Sequence, residues 1–341
     1  MKTPVVLFLF NRPECTRQVF AAIRQVRPRQ LLLVADGPRP NHCEDALLCE
    51  QARAIVSAPD WPCEVLTDFA STNLGCGQRM VSGLDWVFAQ VEEAILLEDD
   101  CLPDLSFFAY CEALLHHYRE DPRVMHIGGH NRLIAWMPDA SSYHATFQYG
   151  SVWGWATWRT AWQCFRRDAP NWRRLAQQLT TTQVGWNGDT QAEFLHPFQT
   201  FSMEKLADDW CIIWTLSKML KGGLSLFPAR NLISNIGFGP QATHTSMSHA
   251  LLFQNTPRFS LEFPLHHPSH LQLDAHYEAQ HLRWMQCRPS PDLLQPLLDH
   301  LLAQNRCVHA LVLIEQVLRS SLPAPEYEQR KAAVLRQLRG G

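Results

Sequence analysis

Three consecutive acids, Glu98-Asp99-Asp100, follow directly on the apolar run Ala94-Ile95-Leu96-Leu97, and Cys101-Leu102-Pro103 comes next. A short apolar run of this kind reads as a buried strand of a mainly parallel sheet, which the proline then stops. Ligands in such sheets bind just beyond the carboxyl ends of the strands. Carboxylates packed side by side repel one another unless a cation or a donor-rich ligand neutralises them. The chemistry on offer is metal or ligand binding at a sheet rim. Read alone, the stretch fits a solvated acidic turn as well.

Two further strand ends point to the same rim: Asn11-Arg12 after Val5–Phe10, and Asp36-Gly37 after Leu31–Ala35. An arginine there can contact a pyrophosphate or a nucleobase, and an aspartate can accept from a base N–H or a ribose hydroxyl. No G-x-G-x-x-G follows the first strand and no G-x-x-x-x-G-K-[ST] occurs, so phosphate charge falls to a metal on the acids. Each residue alone is an ordinary turn residue; their joint placement points to a nucleotide site. A second constellation is Leu206-Ala207-Asp208-Asp209-Trp210. Its acids fit a helix cap and dipole partner, and equally a general base for a sugar hydroxyl beside a cleft. A third is the loop Asn235–Thr245, where Thr243 and His244 offer a hydroxyl and an imidazole to phosphate or metal.

The elements that must position these residues alternate. Strands are expected at Val5–Phe10, Leu31–Ala35, Cys63–Leu66 and Ile95–Leu97. Helices are expected at Glu14–Val26, at Glu44–Ser57, and from an Asn73 cap to Val91. Such alternation with short links implies right-handed crossovers and a parallel sheet. Beyond the acids, Leu105–Tyr118 reads as a helix, Arg123–Gly128 as a strand and Tyr143–Tyr149 as an edge strand. Residues 164–189 read as a surface excursion, Asp208–Leu220 as a helix, Leu224–Phe227 as a strand and Asn231–His244 as an irregular loop. The expected organisation is an α/β domain over 1–255, a surface arm over 256–290 and a C-terminal helical segment over 291–341.

Composition narrows the class. Thirty basic and 33 acidic residues give a net charge of -3, which offers no electrostatic case for nucleic acid or an anionic membrane. The 11 cysteines include no C-x-x-C pair, so free thiols in a reducing cytosol are the simplest account. The first apolar run has six residues before Asn11, too short for a signal peptide or a membrane span. The expected setting is cytoplasmic, with peripheral association at the inner face of a membrane left open. Trp153, Trp155 and Trp158 suit packed core more than sugar stacking.

Taken together and in this order, Val5–Arg12, Ala35-Asp36-Gly37, Leu97-Glu98-Asp99-Asp100, Val152-Trp153-Gly154-Trp155, Asp208-Asp209-Trp210 and Asn231–His244 resemble GT-A fold glycosyltransferases of the N-acetylglucosaminyltransferase I type. The resemblance spans roughly residues 4–250 and implies an inverting, metal-dependent transfer of a hexose such as GlcNAc from a UDP-sugar to a glycan or lipid-linked acceptor, in cell-surface polysaccharide synthesis. It implies that Asp100 binds Mn²⁺ (or Mg²⁺), that Glu98 and Asp99 face ribose and sugar, and that Arg12 and Asp36-Gly37 hold the nucleotide. Asp208 matches the general base, with Asp209 as fallback. Thr243 matches a loop hydroxyl that meets the phosphates.

The chain departs from this pattern in two places. Gly239-Pro240-Gln241 replaces basic loop residues, which leaves His244 as the substitute for phosphate or metal. Gln78 and Arg79 stand where a donor-contacting histidine is expected. The alternatives are a non-catalytic nucleotide-sugar or glycan-binding protein, and then a sugar nucleotidyltransferase, for which Asn11-Arg12-Pro13 lacks the phosphate loop. The acceptor, the sugar and the oligomeric state are not legible.

Overall fold

Every residue of Val5–Leu9 is buried, as a strand covered on both faces requires. The computed structural model describes residues 1–147, 151–168, 171–179, 188–238, 256–285, 298–299, 301–303, 307, 310–311, 314 and 325–339. The strands described are β1 (Val5–Leu9), β2 (Gln30–Ala35), β3 (Glu64–Phe69), β4 (Glu93–Glu98), β5 (Cys101–Pro103), β6 (Val124–Gly128), β7 (Tyr143–Thr146), β8 (Trp155–Trp158), β9 (Leu224–Pro228) and β10 (Ile233–Asn235). The helices are α1 (Pro13–Val26), α2 (Asp45–Val56), α3 (Cys76–Gln90), α4 (Ser106–His117), α5 (Arg159–Trp162), α6 (Trp172–Gln178), α7 (Gly188–Thr200), α8 (Met203–Asp208), α9 (Trp210–Met219), α10 (Ala275–Met285) and α11 (Pro325–Arg339).

The fold is α/β, as expected. An eight-stranded sheet runs β3-β2-β1-β4-β8-β6-β9-β7. The first four strands are parallel, β8 lies antiparallel between β4 and β6, β9 is parallel to β6, and β7 closes the edge antiparallel. Alternate side chains feed two cores. Val5, Leu7 and Leu9 pack with α1, α2 and α4 on one face. Val6, Phe8, Leu32 and Val34 pack with α3, α5, α6 and α9 on the other. A third cluster joins Leu133, Ile134, Phe227 and Phe238 to Tyr277 and to Leu298, Leu301, Tyr327 and Val334 of the C-terminal segment. No helix among the described residues is long and apolar enough to cross a membrane.

Four expectations are corrected. The described part of 164–189 is no surface excursion, because Trp172, Leu175 and Ala176 of α6 are buried in the second core. The expected arm is only partly superficial: α10 buries Tyr277, Glu278 and His281, and Glu278 Oε1 accepts from the Phe147 amide at 2.8 Å. The helix expected from Asn73 starts at Cys76, because Asn73 spends its side chain on Asp36 and Gly37. The helix expected from Asp208 to Leu220 is broken at Asp209, whose φ of -81° and ψ of 52° leave the helical region.

One buried group ties stability to pH. The fully buried His126 on β6 accepts from the Trp214 indole N–H at Nδ1 (3.2 Å) and lies 3.1 Å from the Ser151 carbonyl at Nε2, so it is the neutral Nε2–H tautomer. Burial, and then the nearby Lys218 charge, hold its pKa well below the ordinary histidine value. As pH falls through the unfolded value of about 6.5, the unfolded chain takes up a proton that the folded chain refuses, and stability is lost below that pH. We expect His126→Gln, which cannot charge, to flatten the loss of urea midpoint between about pH 6.5 and pH 5 relative to the parent.

Candidate functional site

Parallel register brings the chemical residues together. Phe8 pairs with Glu98 and Leu9 with Ala35, so Asn11-Arg12, Asp36-Gly37 and Glu98-Asp99-Asp100 emerge at one rim. The Phe10 amide donates to Asp99 Oδ2 at 3.0 Å and the Asp36 amide to the Leu9 carbonyl at 3.1 Å. Arg12, just before α1, places Nη1 2.5 Å from Asp100 Oδ2, with both side chains mostly buried. Burial works against the Arg12 charge, but Asp100 and then Asp99 outweigh it and raise its pKa. Burial first, and then the neighbouring acids, hold Glu98 and Asp99 above the usual carboxylate range, with Arg12 pulling the other way. Both shifts favour the neutral carboxyl, so protonation joins Arg12 in offsetting the charge of the triplet.

A short strand pair closes over the triplet. β5 pairs antiparallel with β10, setting Asn235 opposite Cys101. The Ile236 amide then donates to the Asp100 carbonyl at 2.8 Å, and Asn235 Nδ2 reaches Asp100 Oδ1 at 3.5 Å. Gly237 must be glycine: a Cβ there would stand 2.0 Å from Asp100 Oδ2 and 2.6 Å from Arg12 Nη1. Thr243 and His244, further along this loop, lie outside the described residues.

Asp36 is buried and heavily used. Its Oδ1 accepts from the amides of Gly37 (2.8 Å) and Leu74 (2.9 Å), and its Oδ2 from Asn73 Nδ2 (2.9 Å). A carboxylate offers about four acceptor positions, so about one is left for a ligand. Gly37 lies against the backbone of Thr72, 2.4 Å from where a Cβ would sit. Arg79 turns away from the acids: buried in α3, it donates to the Asp68 carbonyl (2.5 Å) and carboxylate (2.8 Å) of β3.

The second acid pair joins the first through aromatic packing. Trp155 opens β8, beside β4, and sits opposite Leu96. Its indole lies 6.0 Å from that of Trp210 at the start of α9, and Trp162 and Trp214 complete the cluster. This contact fixes the α8–α9 junction, and with it Asp208 and Asp209, relative to the strand that carries the triplet. Asp208 Oδ1 accepts from the Gly77 amide in the first turn of α3 at 3.0 Å. The half-buried Cys76 thiol, in that turn, is pushed well above the ordinary thiol range by desolvation and then by the charges of Glu98 and Asp208, with Asp100 adding to them. Burial pushes the Cys211 thiol up to about 12, with Asp209 and Glu98 adding to it and Arg132 opposing. Each thiol therefore feels charge from both acid groups, Cys76 from Glu98 and Asp208 and Cys211 from Asp209 and Glu98.

Sequence reasoning reads Asn73 only as a helix cap and does not single out Asn235 or Gly77. Asn235 heads the loop that carries Thr243 and His244, so a signal for it was present. Gly77 carried only the helix-weakening signal of a glycine. Trp153 is half-exposed and lies against His130 and Phe238, whereas Trp155 and Trp158 are core.

A divalent cation suits the donors at Asp100. They are hard oxygens, which Mn²⁺ and Mg²⁺ prefer, and the carboxylate already attracts a cationic guanidinium. Among the described residues, no group of three His, Cys, Asp or Glu side chains forms a ready cage.

No family model matches the chain, and no curated protein does. Among solved structures, it is similar to UTP-bound UGPase from Acinetobacter baumannii (TM-score 0.36, 9% identity, covering 69% of this chain and 88% of that one). It is also similar to UDP-glucose pyrophosphorylase complexed with UDP-glucose (0.32, 9%, 69% and 93%). Mouse xyloside xylosyltransferase 1 in its apo form is a third (0.32, 10%, 64% and 81%). Superpositions this loose leave function to the geometry of the site.

The tight seat of α3 is testable. A Cβ on Gly77 would meet the Ala207 carbonyl oxygen at 2.3 Å and Asp208 Cα at 2.5 Å, both backbone atoms that cannot rotate away. Gly77→Ala should cost about 1–3 kcal/mol in urea unfolding and displace the Asp208 carboxylate. An unchanged midpoint would show that the junction yields freely.

Proposed function

We propose that this protein is a metal-dependent, inverting glycosyltransferase of GT-A type that moves a sugar from a UDP-sugar to a hydroxyl of a glycan or lipid-linked acceptor. The observation that carries this reading is the placement of two separate acid groups: the parallel register of β1, β2 and β4 brings Arg12, Asp36 and Glu98-Asp99-Asp100 to one rim, and the Trp155–Trp210 contact packs the Asp208-Asp209 junction against the core beneath β4. A single displacement needs this division, with a leaving-group site and a base placed apart and a sugar held between them.

Asp100 is the residue to hold Mn²⁺ or Mg²⁺, which when bound supplies charge stabilisation to a departing diphosphate. Glu98 and Asp99 line the sugar and ribose side, Arg12 meets the phosphates, and Asp36 offers its remaining acceptor position to the base or ribose. Asp208 takes the proton of the acceptor hydroxyl as the acceptor oxygen bonds to the anomeric carbon and the bond from that carbon to the diphosphate oxygen breaks. Asp209, at the helix break, is the fallback base. Arg79 is left out of the donor site because its guanidinium serves β3. Thr243 and His244 remain proposed phosphate and metal contacts by resemblance alone.

The Asp208–Gly77 bond favours one second reading, a nucleotide-sugar- or glycan-binding protein in which Asp208 only seats α3. A thermal-shift panel of UDP-, GDP- and dTDP-sugars with and without Mn²⁺ comes first. Stabilisation by UDP-sugars that needs Mn²⁺ and vanishes in Asp100→Ala is expected, and no response to any donor would sink the proposal. Asp208→Asn should keep UDP binding while turnover falls about 10²- to 10⁴-fold. Full turnover in that variant moves the base to Asp209, and binding without turnover in the parent selects the second reading.

A further inference from the structure

Arg12 and Asp100 are both assigned to a donor site, one to phosphate and one to metal, yet in this structure they hold each other. Nη1 lies 2.5 Å from Asp100 Oδ2, and the side chains are 18% and 15% exposed. The pair is boxed in. Gly237 lies against both atoms, the Ile236 amide holds the Asp100 carbonyl, and Asn235 approaches the other carboxylate oxygen at 3.5 Å. The oxygen that Arg12 occupies is one a cation would need. Arg12 takes up an acceptor position of that oxygen, and its positive charge opposes a divalent cation on the same carboxylate.

We infer that Arg12 is a built-in counter-cation that competes with the divalent cation for Asp100 and is handed to the diphosphate when the cation takes its place. The inference rests on the proposed donor site. Without ligand, Arg12 offsets part of the negative charge of Glu98-Asp99-Asp100, so the rim is tolerable while empty. With cation and nucleotide present, the guanidinium loses one anionic partner and gains another at the phosphates, so its charge is never left bare in a mostly buried position. The consequence is coupling: cation alone must displace Arg12 and binds weakly, whereas the diphosphate draws Arg12 off Asp100 and strengthens cation binding. By reciprocity the cation strengthens nucleotide binding by the same factor.

The test is calorimetric titration of the full chain with Mn²⁺ alone and with UDP present, comparing the parent with Arg12→Gln and Arg12→Lys. Unfolding midpoints are recorded for each variant. Arg12→Gln should bind Mn²⁺ alone about tenfold more tightly than the parent, because the competitor is gone, and should bind UDP more weakly at saturating Mn²⁺. Arg12→Lys, which keeps the charge, should stay close to the parent for Mn²⁺ alone. Mn²⁺ affinity that is unchanged or weaker in a folded Arg12→Gln overturns the inference and leaves the functional reading intact. UDP binding by the parent that is equal with and without Mn²⁺, yet lost in Arg12→Gln, also overturns it, because Arg12 would then be the resident cation itself. A parent that takes neither Mn²⁺ nor UDP sinks the functional reading, and this inference with it.

Discussion

Like charges at the end of a buried strand are the constraint on which the rest of the site depends. Two unit charges about 4 Å apart interact by roughly 4 kcal/mol at an effective dielectric near 20, several times the worth of an exposed ion pair. Three adjacent acids at the end of β4 therefore need compensation built into the fold. The structure supplies it locally: the Phe10 amide serves Asp99, Arg12 serves the Asp100 carboxylate, and β10 pairs with β5 so that Asn235 approaches that carboxylate while the Ile236 amide pins the Asp100 backbone. Glu98 and Asp99 stay above the usual carboxylate range even so. The compensation is partial, and protonation of these two acids offsets what the donors leave.

The second dependence is hydrophobic. Nothing in local sequence ties an acid pair near residue 208 to a strand ending near residue 98. The tie is made by Trp155 and Trp210, with Trp162 and Trp214 packed around them, in the core that also holds α3. Gly77 lets α3 reach the backbone of Asp208, so helix, junction and strand behave as one packed piece. The carboxylates are placed by indoles that never need to touch a ligand.

Much of the α/β frame was legible because strand and helix periodicities differ and the runs are clean. Val5–Leu9 and Gln30–Ala35 fall within a residue of where their apolar runs place them. Asn73 was misread because a capping residue and a carboxylate ligand look alike in a sequence, and here Asp36 won its side chain. The break at Asp209 was illegible because both flanking segments are good helices, and tertiary packing of Trp210 decides where one stops. Arg79 is indistinguishable in sequence from a ligand-binding arginine; only the position of Asp68 shows where its charge goes. Residues 164–178 looked peripheral because they are polar overall, yet Trp172 and Leu175 suffice to pull α6 into the core. The acid triplet was legible as charge, and its closing strand β10 was not, since a three-residue partner carries no periodic signal.

The placement of the indole cluster has a bearing on how such a chain can diverge. Its aligning contacts lie in the core, while Ile236 and Gly237 sit at the rim itself. Selection can therefore rewrite the surroundings of the cleft while the spacing between the two acid groups stays constant. A lineage built on this frame is free to change what it recognises many times over without having to rediscover the geometry by which it acts.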